Sequence, residues 1–446
     1  MDKVQIFSEE QEAMALECIR MALGKGADGV RATLSGTLQN TVATLDGALD
    51  KILSSNDKSL SLTIFAGGRR GLFSTNCLDG DSLEDFTEKA VRTTLLLEAD
   101  PLRRLPDKAF KADNADDSDM LESYDPAFAA LDGDSRIEAA VQASAIPSEC
   151  AVPPGCSVVS IESEYTDYLD DTVILDSDGF RGRHRETSHS IRCEVTLQED
   201  GTARRSSGTW WESAVMRGGI DPARTFANAL EEAISKRSPR KIKSGKYTVS
   251  VDRKCATKLL YHLINAMDAY NVFQDESFLK GKFGQRLFPE ALTVMDRAHG
   301  KRCIGSRTFD SEGLLCPERP IILEGVVKDC YADSYSAAKL GIDPSCDSAS
   351  RPVVLPFACT CGKKPVNLHI ASFNGGNCNA ATGNFSFGID GYVIEDGRRT
   401  HPFSEAVMTG DILSLWSGII GAADDAFPGR GWQVPTLTFE NVDINS

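Results

Sequence analysis

The fold is decided by a threonine-rich stretch with short apolar and polar alternations, GVRATLSGTLQNTVATLDGALDKILSSNDKSLSLTIFAGGRRGLFSTN (residues 29–76). Turn-forming residues interrupt it at Gly36, at LDG (45–47), at SSND (54–57) and at Gly67–Gly68. Alternation with period two between such turn signals is typical of antiparallel hairpins. The stretch therefore predicts an antiparallel meander.

Helical patterns and a second strand series surround this meander. Ser8, followed by Glu9, Glu10 and Gln11, is a good N-cap for a helix over 8–26. Strands with turns at DSDGF and EDG are predicted between residues 156 and 212. Further helices are predicted over 82–98, 134–146 and 221–236. We expect an N-terminal α/β part made of small antiparallel sheets with helices.

The remaining residues predict a mostly β domain. It opens with the strand KYTVSV and a helix over 256–269, and short strands divided by Gly, Pro and Asp follow. One further helix is predicted over 403–423. The fold class is therefore α+β, with predicted segments 1–110 (helix and meander), 111–240 (central α+β) and 241–446 (mostly β).

Composition limits the partners. The 446 residues carry a formal net charge of −17, and their single basic cluster is SKRSPRKIKSGK at 235–246. A nucleic-acid binder needs a basic field to neutralise phosphates, so we expect no direct nucleic-acid contact. We also predict no membrane segment, since no run approaches the roughly eighteen apolar residues required. The acidic N-terminus lacks the apolar core of a signal peptide, which favours the cytoplasm.

The helix LLYHLINAMDAY (259–270) resembles a metalloprotease helix whose ligands are missing. A hydrolytic zinc helix places a glutamate beside its first histidine and a second histidine one turn on. Here Leu263 follows His262, and Ala266 and Met267 stand one turn later. His262 lies at the border of the apolar arc, with Asn265 on the polar side. Either His262 donates a structural hydrogen bond, or it contacts a substrate or partner.

The most site-like loop is SFNGGNCNAATGNFSFG (372–388). Its glycines, which include Gly383, allow backbone conformations closed to other residues. Its asparagines suit turns and can hydrogen-bond a peptide backbone; they are Asn377, Asn379 and Asn384. The alternative is a well-capped loop between two strands. Cys378 has no histidine near it in the sequence, which argues against a nucleophilic thiol.

A metal site assembled from distant residues is the other chemical possibility. Its donors in the last domain would be His369, Cys378, Cys359 and Cys361, but they show no ligand spacing. His184 and His189 lie five residues apart on one predicted strand, so they project to opposite faces and do not share a metal. We assign no catalytic and no metal-binding residue in this chain.

Seven motifs in order resemble the PmbA/TldD family, also described as modulators of DNA gyrase. They cover nearly the whole chain: GGRRGLFSTN (67–76), YDPAF (124–128), DSDGFRG (176–182), IKSGKYTVSVD (242–252), GSRTFDSEG (305–313), DSYSAAKLG (333–341) and ATGNFSFGIDGYVIEDG (381–397). Each motif alone is weak, but seven in this order are specific. The resemblance implies an N-terminal α/β part, a mostly β C-terminal domain and a role in a cytoplasmic proteolytic complex.

In that family the TldD-type subunit carries zinc on an H-E-x-x-x-H helix plus a cysteine near the C-terminus. The PmbA (TldE) type lacks the zinc site and pairs with it. Leu263 and Met267 stand where the resemblance places the glutamate and the second histidine, and residues 424–437 contain no cysteine. The resemblance therefore implies a metal-free subunit without a cofactor of its own. Zinc is expected only in a TldD-type partner, and the substrate is an extended peptide.

Two other functions remain open from the sequence. One is a self-sufficient peptidase that uses a rebuilt metal site or Cys378. The other is a homodimeric scaffold without proteolysis. The adjacent tryptophans of GTWWES (208–213) also predict one buried ring and one candidate interface anchor.

Overall fold

The computed structural model describes residues 4–113, 115–145, 152–358 and 365–446. Within these residues, the N-terminal half (4–240) contains one seven-stranded sheet in the order β3–β2–β1–β5–β6, and β6 also pairs with β4 and β7. The strands are β1 (Gly29–Leu45), β2 (Ala48–Ala66), β3 (Arg69–Thr75), β4 (Ala115–Asp116), β5 (Cys156–Asp176), β6 (Arg181–Glu199) and β7 (Arg205–Ala214).

Strand β1 joins the two predicted N-terminal segments into one sheet. It pairs antiparallel with β2 from Gly29↔Phe65 onward and, on its other edge, with β5 from Arg31↔Asp176 onward. Strands from 1–110 and from 111–240 therefore hydrogen-bond to each other. The division at residue 110 stays a prediction about domain boundaries.

The predicted meander is present, but two of its turns are not. Chain reversals occur at Asp46–Gly47 and Gly67–Gly68, as predicted. Gly36 and residues 54–57 instead lie inside β1 and β2, where they continue the ladder. Gly36 serves a close approach, because a Cβ atom there would lie 2.5 Å from the Ile6 side chain. Polar residues at 54–57 are tolerated because that part of β2 is exposed.

Helices cover the faces of this sheet. At the start of α1 (Glu9–Gly24) the Ser8 hydroxyl accepts from the Gln11 N–H, and the Gln11 side chain accepts from the Ser8 N–H, which completes a capping box. The largest apolar cluster of this half packs α1 and α2 (Gly80–Thr94) against β1, β2 and β5. The helices are α1 (Glu9–Gly24), α2 (Gly80–Thr94), α3 (Ser118–Leu121), α4 (Gly133–Ser144) and α5 (Pro222–Ser235).

The C-terminal half (241–446) is mostly β, with four short helices among its described residues. The helices are α6 (Thr257–Asn265), α7 (Ala269–Phe273), α8 (Ser334–Leu340) and α9 (Ile412–Ser417). The strands are β8 (Gly245–Val251), β9 (Val294–Asp296), β10 (Arg319–Leu323), β11 (Val326–Val327), β12 (Pro352–Val354), β13 (Leu368–Phe373), β14 (Asn377–Cys378), β15 (Asn384–Glu395), β16 (Arg398–Asp411), β17 (Ile419–Ala422) and β18 (Leu437–Asn445).

Five of these strands close into a ring. Strand β8 pairs with β18, β18 with β16, β16 with β15, β15 with β13, and β13 with β8. Closure removes most free strand edges. The two-residue strand β14 pairs with β15 on the edge opposite to β16. The main core of this half includes Val249, Leu263, Phe387, Trp416 and Phe439. The α+β fold with antiparallel sheets and a mostly β C-terminal domain is confirmed.

The predicted helix over 403–423 is wrong. Residues up to Asp411 continue β16, and only Ile412–Ser417 is helical, with the Asp411 side chain accepting from the Ser414 N–H. Phe403, Ala406 and Met408 are buried, and the strand pairs with β15. A bulge near Glu405, whose φ is +60°, breaks the period-two pattern and gives this strand a helix-like spacing.

The two halves meet through a buried ionic cluster. Arg31 forms a bidentate pair with Asp176 and donates to the Glu312 carbonyl at 2.6 Å. Trp210 is half-buried and packs edge-on against Phe427, whereas Trp211 is 37% exposed, so neither ring is fully buried and the interface role stays a prediction. Among the described helices, none combines the length and apolarity that crossing a membrane requires.

Candidate functional site

The helix of the predicted site is α6. Its apolar face, formed by Leu259, Leu260, Leu263 and Ile264, is buried in the C-terminal core. Leu263 and Met267 are each 0% exposed. Met267 lies just beyond the last helical turn, where its N–H donates to the Ile264 carbonyl. The two positions that a zinc site would need therefore hold fully buried apolar side chains.

His262 lies at the border of that face, as predicted, but its contacts are aromatic. Its ring stacks on Phe387 of β15, with centroids 5.6 Å apart and an angle of 18° between planes. Tyr261 meets it edge-on at 5.5 Å. No hydrogen bond to the His262 ring occurs among the described residues, and the choice between a structural and a binding role stays a prediction. Burial, with a contribution from the Lys258 charge, lowers the pKa of His262 and favours the neutral ring.

Lys258 ties α6 to the glycine-rich loop. Its Nζ atom donates to the Gly375 carbonyl at 3.2 Å. The same ammonium lies 4.3 Å from the centroid of Phe387 and 5.3 Å from that of Phe373, which is cation–π geometry. The helix flank and the two ends of the 372–388 loop therefore pack into one cluster, which we call the α6 flank: Lys258, Tyr261, His262, Phe373 and the fully buried Phe387.

The far end of the loop returns to the other end of α6. Gly383 has φ +76°, and a Cβ atom there would lie 3.0 Å from the Phe278 ring. The neighbouring Ser277 hydroxyl donates to the Ala266 carbonyl at the C-terminus of α6. The loop thus contacts α6 directly through Lys258 and approaches its C-terminus indirectly, through the Ser277–Phe278 segment. Only glycine combines this backbone conformation with this close approach.

The asparagines divide between turn formation and exposure. Asn379 Oδ1 accepts from the Thr382 N–H at 3.0 Å, so its side chain builds the turn. Asn377 and Asn384 are exposed, and Asn377 pairs with Ser386. Asn265 is half-buried, and its carbonyl accepts from the Asn271 side chain. The turn is therefore capped internally, and peptide binding by the exposed Asn377 and Asn384 stays a prediction.

Cys378 lacks the environment of a nucleophile. Burial raises the pKa of its thiol, which keeps it protonated near neutral pH. Its sulfur lies 3.7 and 3.8 Å from the carbonyls of Gly383 and Asn379, and the side chain packs against the C-terminal core. Among the described residues, no histidine contacts it to act as a base.

His369 cannot rebuild a metal site. Its Nδ1 lies 2.9 Å from the Ser250 hydroxyl, its Nε2 lies 3.1 Å from Asp252 Oδ2, and Arg399 approaches Nε2 at 3.4 Å. Both ring nitrogens are therefore engaged. Burial raises the pKa of Asp252, but the hydrogen bonds from His369 and the Lys254 N–H outweigh it and leave the pKa lowered. Cys359 and Cys361 lie outside the described residues.

The remaining histidines of interest are structural. His184 Nδ1 lies 2.6 Å from Asp117, whereas His189 is fully buried with Nδ1 3.0 Å from the Tyr165 hydroxyl. Because the two histidines contact different residues, their side chains lie on opposite faces of β6, as predicted.

Elsewhere in the described chain, Asp310, Cys346 and Asp347 bring possible donor atoms within 4.8 Å of one another. The Arg307 guanidinium contacts Cys346 and Asp347 there, which is unfavourable for a cation.

Trp432 also belongs to this region, although no sequence pattern indicated it. Its ring lies 6.3 Å from Tyr261. It belongs to the segment 424–437, which contains no cysteine. This segment therefore reaches the α6 flank without offering a thiolate. Phe387 was also missed. The alternation of Phe385 and Phe387 in the NFSFG strand was the available signal, because it predicts two rings on one face.

Comparisons with known proteins agree with this architecture. The model of the PmbA/TldA metallopeptidase C-terminal domain matches residues 244–446, and that of the central domain matches residues 109–237. Metalloprotease PmbA of Escherichia coli O157:H7 is 26% identical over 424 residues, which cover 94% of this chain and 91% of the relative.

Two crystal structures are similar over nearly their full lengths. A candidate modulator of DNA gyrase from Bacteroides thetaiotaomicron has a TM-score of 0.91 at 30% identity, covering 98% of this chain and 99% of that one. TldE from Thermococcus kodakarensis has a TM-score of 0.81 at 14% identity, covering 97% of this chain and 100% of that one. The second likeness shows the fold alone.

Proposed function

Because the chain belongs to the metalloprotease-related PmbA/TldD family, we propose that it is a metal-free, PmbA/TldE-like subunit of a proteolytic complex. It holds an extended peptide, while a TldD-type partner chain supplies zinc and activates water. The complex is cytoplasmic. The catalytic step belongs to the partner, so this chain has no peptidase activity alone.

The observation that carries the proposal is the pair Leu263 and Met267, both 0% exposed in the core. Thioether and aliphatic side chains offer Zn²⁺ none of its usual nitrogen, oxygen or thiolate ligands. His262 is then a single donor, and no carboxylate stands beside it to deprotonate a bound water. The residues at this position do not fit a hydrolytic zinc ion.

Peptide binding at the 372–388 loop is supported by the position of β14. This strand is terminal in its sheet and pairs only with β15 among the described residues. An extended peptide can add to such an edge through main-chain hydrogen bonds, with side-chain contacts giving selectivity. Asn377 and Asn384 are exposed along the same segment and can hydrogen-bond a peptide amide.

The proposal is tested by mixing subunits. This chain, a TldD-type chain from the same cell, and their equimolar mixture are each assayed against an unfolded peptide. We expect no cleavage by this chain alone and faster cleavage by the mixture than by the partner alone. Cleavage by this chain alone that a chelator or Cys378→Ser abolishes would establish the self-sufficient peptidase. A mixture no faster than the partner, with no co-sedimentation, would favour the scaffold.

The binding role has its own readout. In the mixture, Asn377→Ala is expected to raise KM and leave kcat unchanged, because it removes contacts made equally in the ground and transition states. The matched control is Asn445→Ala, which changes an exposed asparagine at the end of β18. Equal effects of the two substitutions would place the peptide elsewhere.

A further inference from the structure

A cleft between the two halves contains two unpartnered hydrogen-bond donors. It has a volume of about 330 Å³ and lies between β7 and the turn 427–430. We call it the tryptophan cleft, and its lining includes Trp210, Trp211, Arg253, Phe427 and Arg430. The Trp210 Nε1 and Arg430 Nη2 atoms are buried, and neither has a hydrogen-bond partner among the described residues. Because a buried donor without a partner is unfavourable, a ligand that accepts from both donors is favoured here.

The Arg430 guanidinium is fixed in the cleft by its neighbours. The turn that carries it packs tightly on β7, where a Cβ atom at Gly429 would lie 2.0 Å from the Ser213 carbonyl oxygen. The guanidinium carbon lies 4.1 Å from the centroid of the Trp211 ring. Its Nη1 donates to the Lys254 carbonyl, just before α6, at 3.3 Å. Stacking and one hydrogen bond therefore hold the group, while Nη2 remains without an acceptor.

The tryptophan cleft carries positive charge that the acidic side chain of its lining does not neutralise. Arg253 and Arg430 form no ion pair among the described residues, and their guanidinium groups donate to main-chain carbonyls instead. The lining acid, Glu212, is already paired with Arg224 at 2.6 Å. Burial lowers the pKa of Arg430 to about 10 against the opposing effect of Asp252. An anion in the cleft would therefore stabilise the buried cation, although the chain as a whole carries −17.

The donors and the walls of the cleft favour a carboxylate over other anions. A carboxylate has two oxygens, which match the two unpartnered donors. A phosphate brings a third strong acceptor oxygen and more charge. The aromatic rings of Trp210, Trp211 and Phe427 line the cleft, and they suit the organic part of an acid better than a hydrated inorganic ion.

We propose that the tryptophan cleft binds the C-terminal carboxylate of the peptide that this chain holds. The inference rests on the proposed function, since it concerns one end of the same peptide. Its position supports it, because Arg430 donates to the Lys254 carbonyl, whereas Lys258 donates to Gly375 of the 372–388 loop. The cleft and the loop therefore contact the same short segment, 254–258, at the start of α6.

Binding to the purified full-length chain, measured by isothermal titration calorimetry, tests the proposal without a partner chain. The probe is an N-acetylated hexapeptide with neutral side chains, made either with a free C-terminal carboxylate or as the C-terminal amide. We expect the acid to bind about tenfold more tightly than the amide, because only the acid accepts charge-assisted hydrogen bonds from both donors.

Two substitutions remove one donor each. Arg430→Met and Trp210→Phe should each bring the affinity for the acid close to that for the amide, and binding of the amide shows that the variant is folded. The matched control is Arg204→Met, which changes an exposed arginine between β6 and β7 and should keep the difference. A preference for the acid that survives in both variants, or that Arg204→Met also abolishes, would overturn the proposal.

The remaining outcomes separate this inference from the proposed function. Equal binding of acid and amide by the wild type would overturn the inference and leave the proposed function intact. A hexapeptide amide with one glutamate that binds as tightly as the acid would assign the cleft to side-chain carboxylates instead. Binding of neither peptide would contradict the proposed function. If acetate then raises the Tm of the wild type but not of Arg430→Met, the cleft binds a free carboxylate rather than a peptide end.

Discussion

His262 and His369 belong to the same C-terminal half and differ in what surrounds their rings. His262 stacks on Phe387 and has no hydrogen-bond partner among the described residues, so its nitrogens are free but no second donor is near. His369 has an acidic neighbour, Asp252, at 3.1 Å, but both of its nitrogens are already engaged. A metal site needs a free lone pair and further donors together. Each histidine provides one of these conditions without the other.

The largest effect on stability is expected when the glutamate of a zinc helix is introduced beside His262. Leu263→Glu places a carboxylate in a fully buried site without a partner, and should cost about 4 kcal/mol or more in unfolding free energy. Leu263→Met, which keeps volume and apolarity, should cost less than about 1.5 kcal/mol. Chemical denaturation measures both. A stable Leu263→Glu variant that binds zinc would show that the helix still holds a latent site.

The His369 side of the comparison is tested by Asp252→Asn. Removing the charge weakens the hydrogen bond from His369 and should cost about 1–3 kcal/mol at neutral pH. The folded-state pKa of Asp252 is lowered, so its contribution is present above the unfolded pKa of about 4 and is lost as pH falls through the folded pKa. Unfolding free energy measured from pH 7 to 2 should therefore fall less steeply in the variant. An unchanged slope would contradict the assignment.

Substitution of His262 should have a smaller effect. The contribution of this residue to the unfolding free energy also decreases as pH falls. His262→Ala should cost about 1 kcal/mol by removing the ring stack, and His262→Phe should keep most of it. The folded-state pKa of His262 is lowered, so the unfolded chain takes up its proton first and stability decreases as pH falls below about 6.5. Both variants should lack this decrease. Its persistence in both would assign it to another group.

The smallest effect is expected at Cys378. Cys378→Ser should change the unfolding free energy by about 0.5 kcal/mol or less and leave cleavage by the subunit mixture unchanged, since burial keeps the thiol protonated. Loss of cleavage in this variant, measured with the same peptide, would give Cys378 a role in the reaction.

The sequence predicted what depends on local pattern. The position of His262 at the border of an apolar helix face followed from helical spacing, and the chain reversal at Asp46–Gly47 followed from turn-forming residues. The helix predicted over 403–423 failed because a bulge at Glu405 shifted the period of β16, and a one-residue shift cannot be seen without the paired strand.

The contacts of the α6 flank could not be predicted, because they join residues far apart in the chain. His262 meets Phe387, and Tyr261 meets Trp432, only after β13 and β15 close the ring of strands. Ring closure depends on pairing between distant strands rather than on any local pattern. The sequence therefore identified the helix and the loop, while the fold determined that they pack against each other.

The central claim, that this chain carries no hydrolytic zinc, is tested most directly by metal content. The purified chain is incubated with zinc and dialysed, and its zinc content is measured by inductively coupled plasma mass spectrometry. The His262→Ala variant is treated in parallel, and a TldD-type chain is the positive control. The account predicts far less than one zinc ion per chain in both the wild type and the variant. One zinc ion per chain that survives dialysis and disappears in His262→Ala would contradict it.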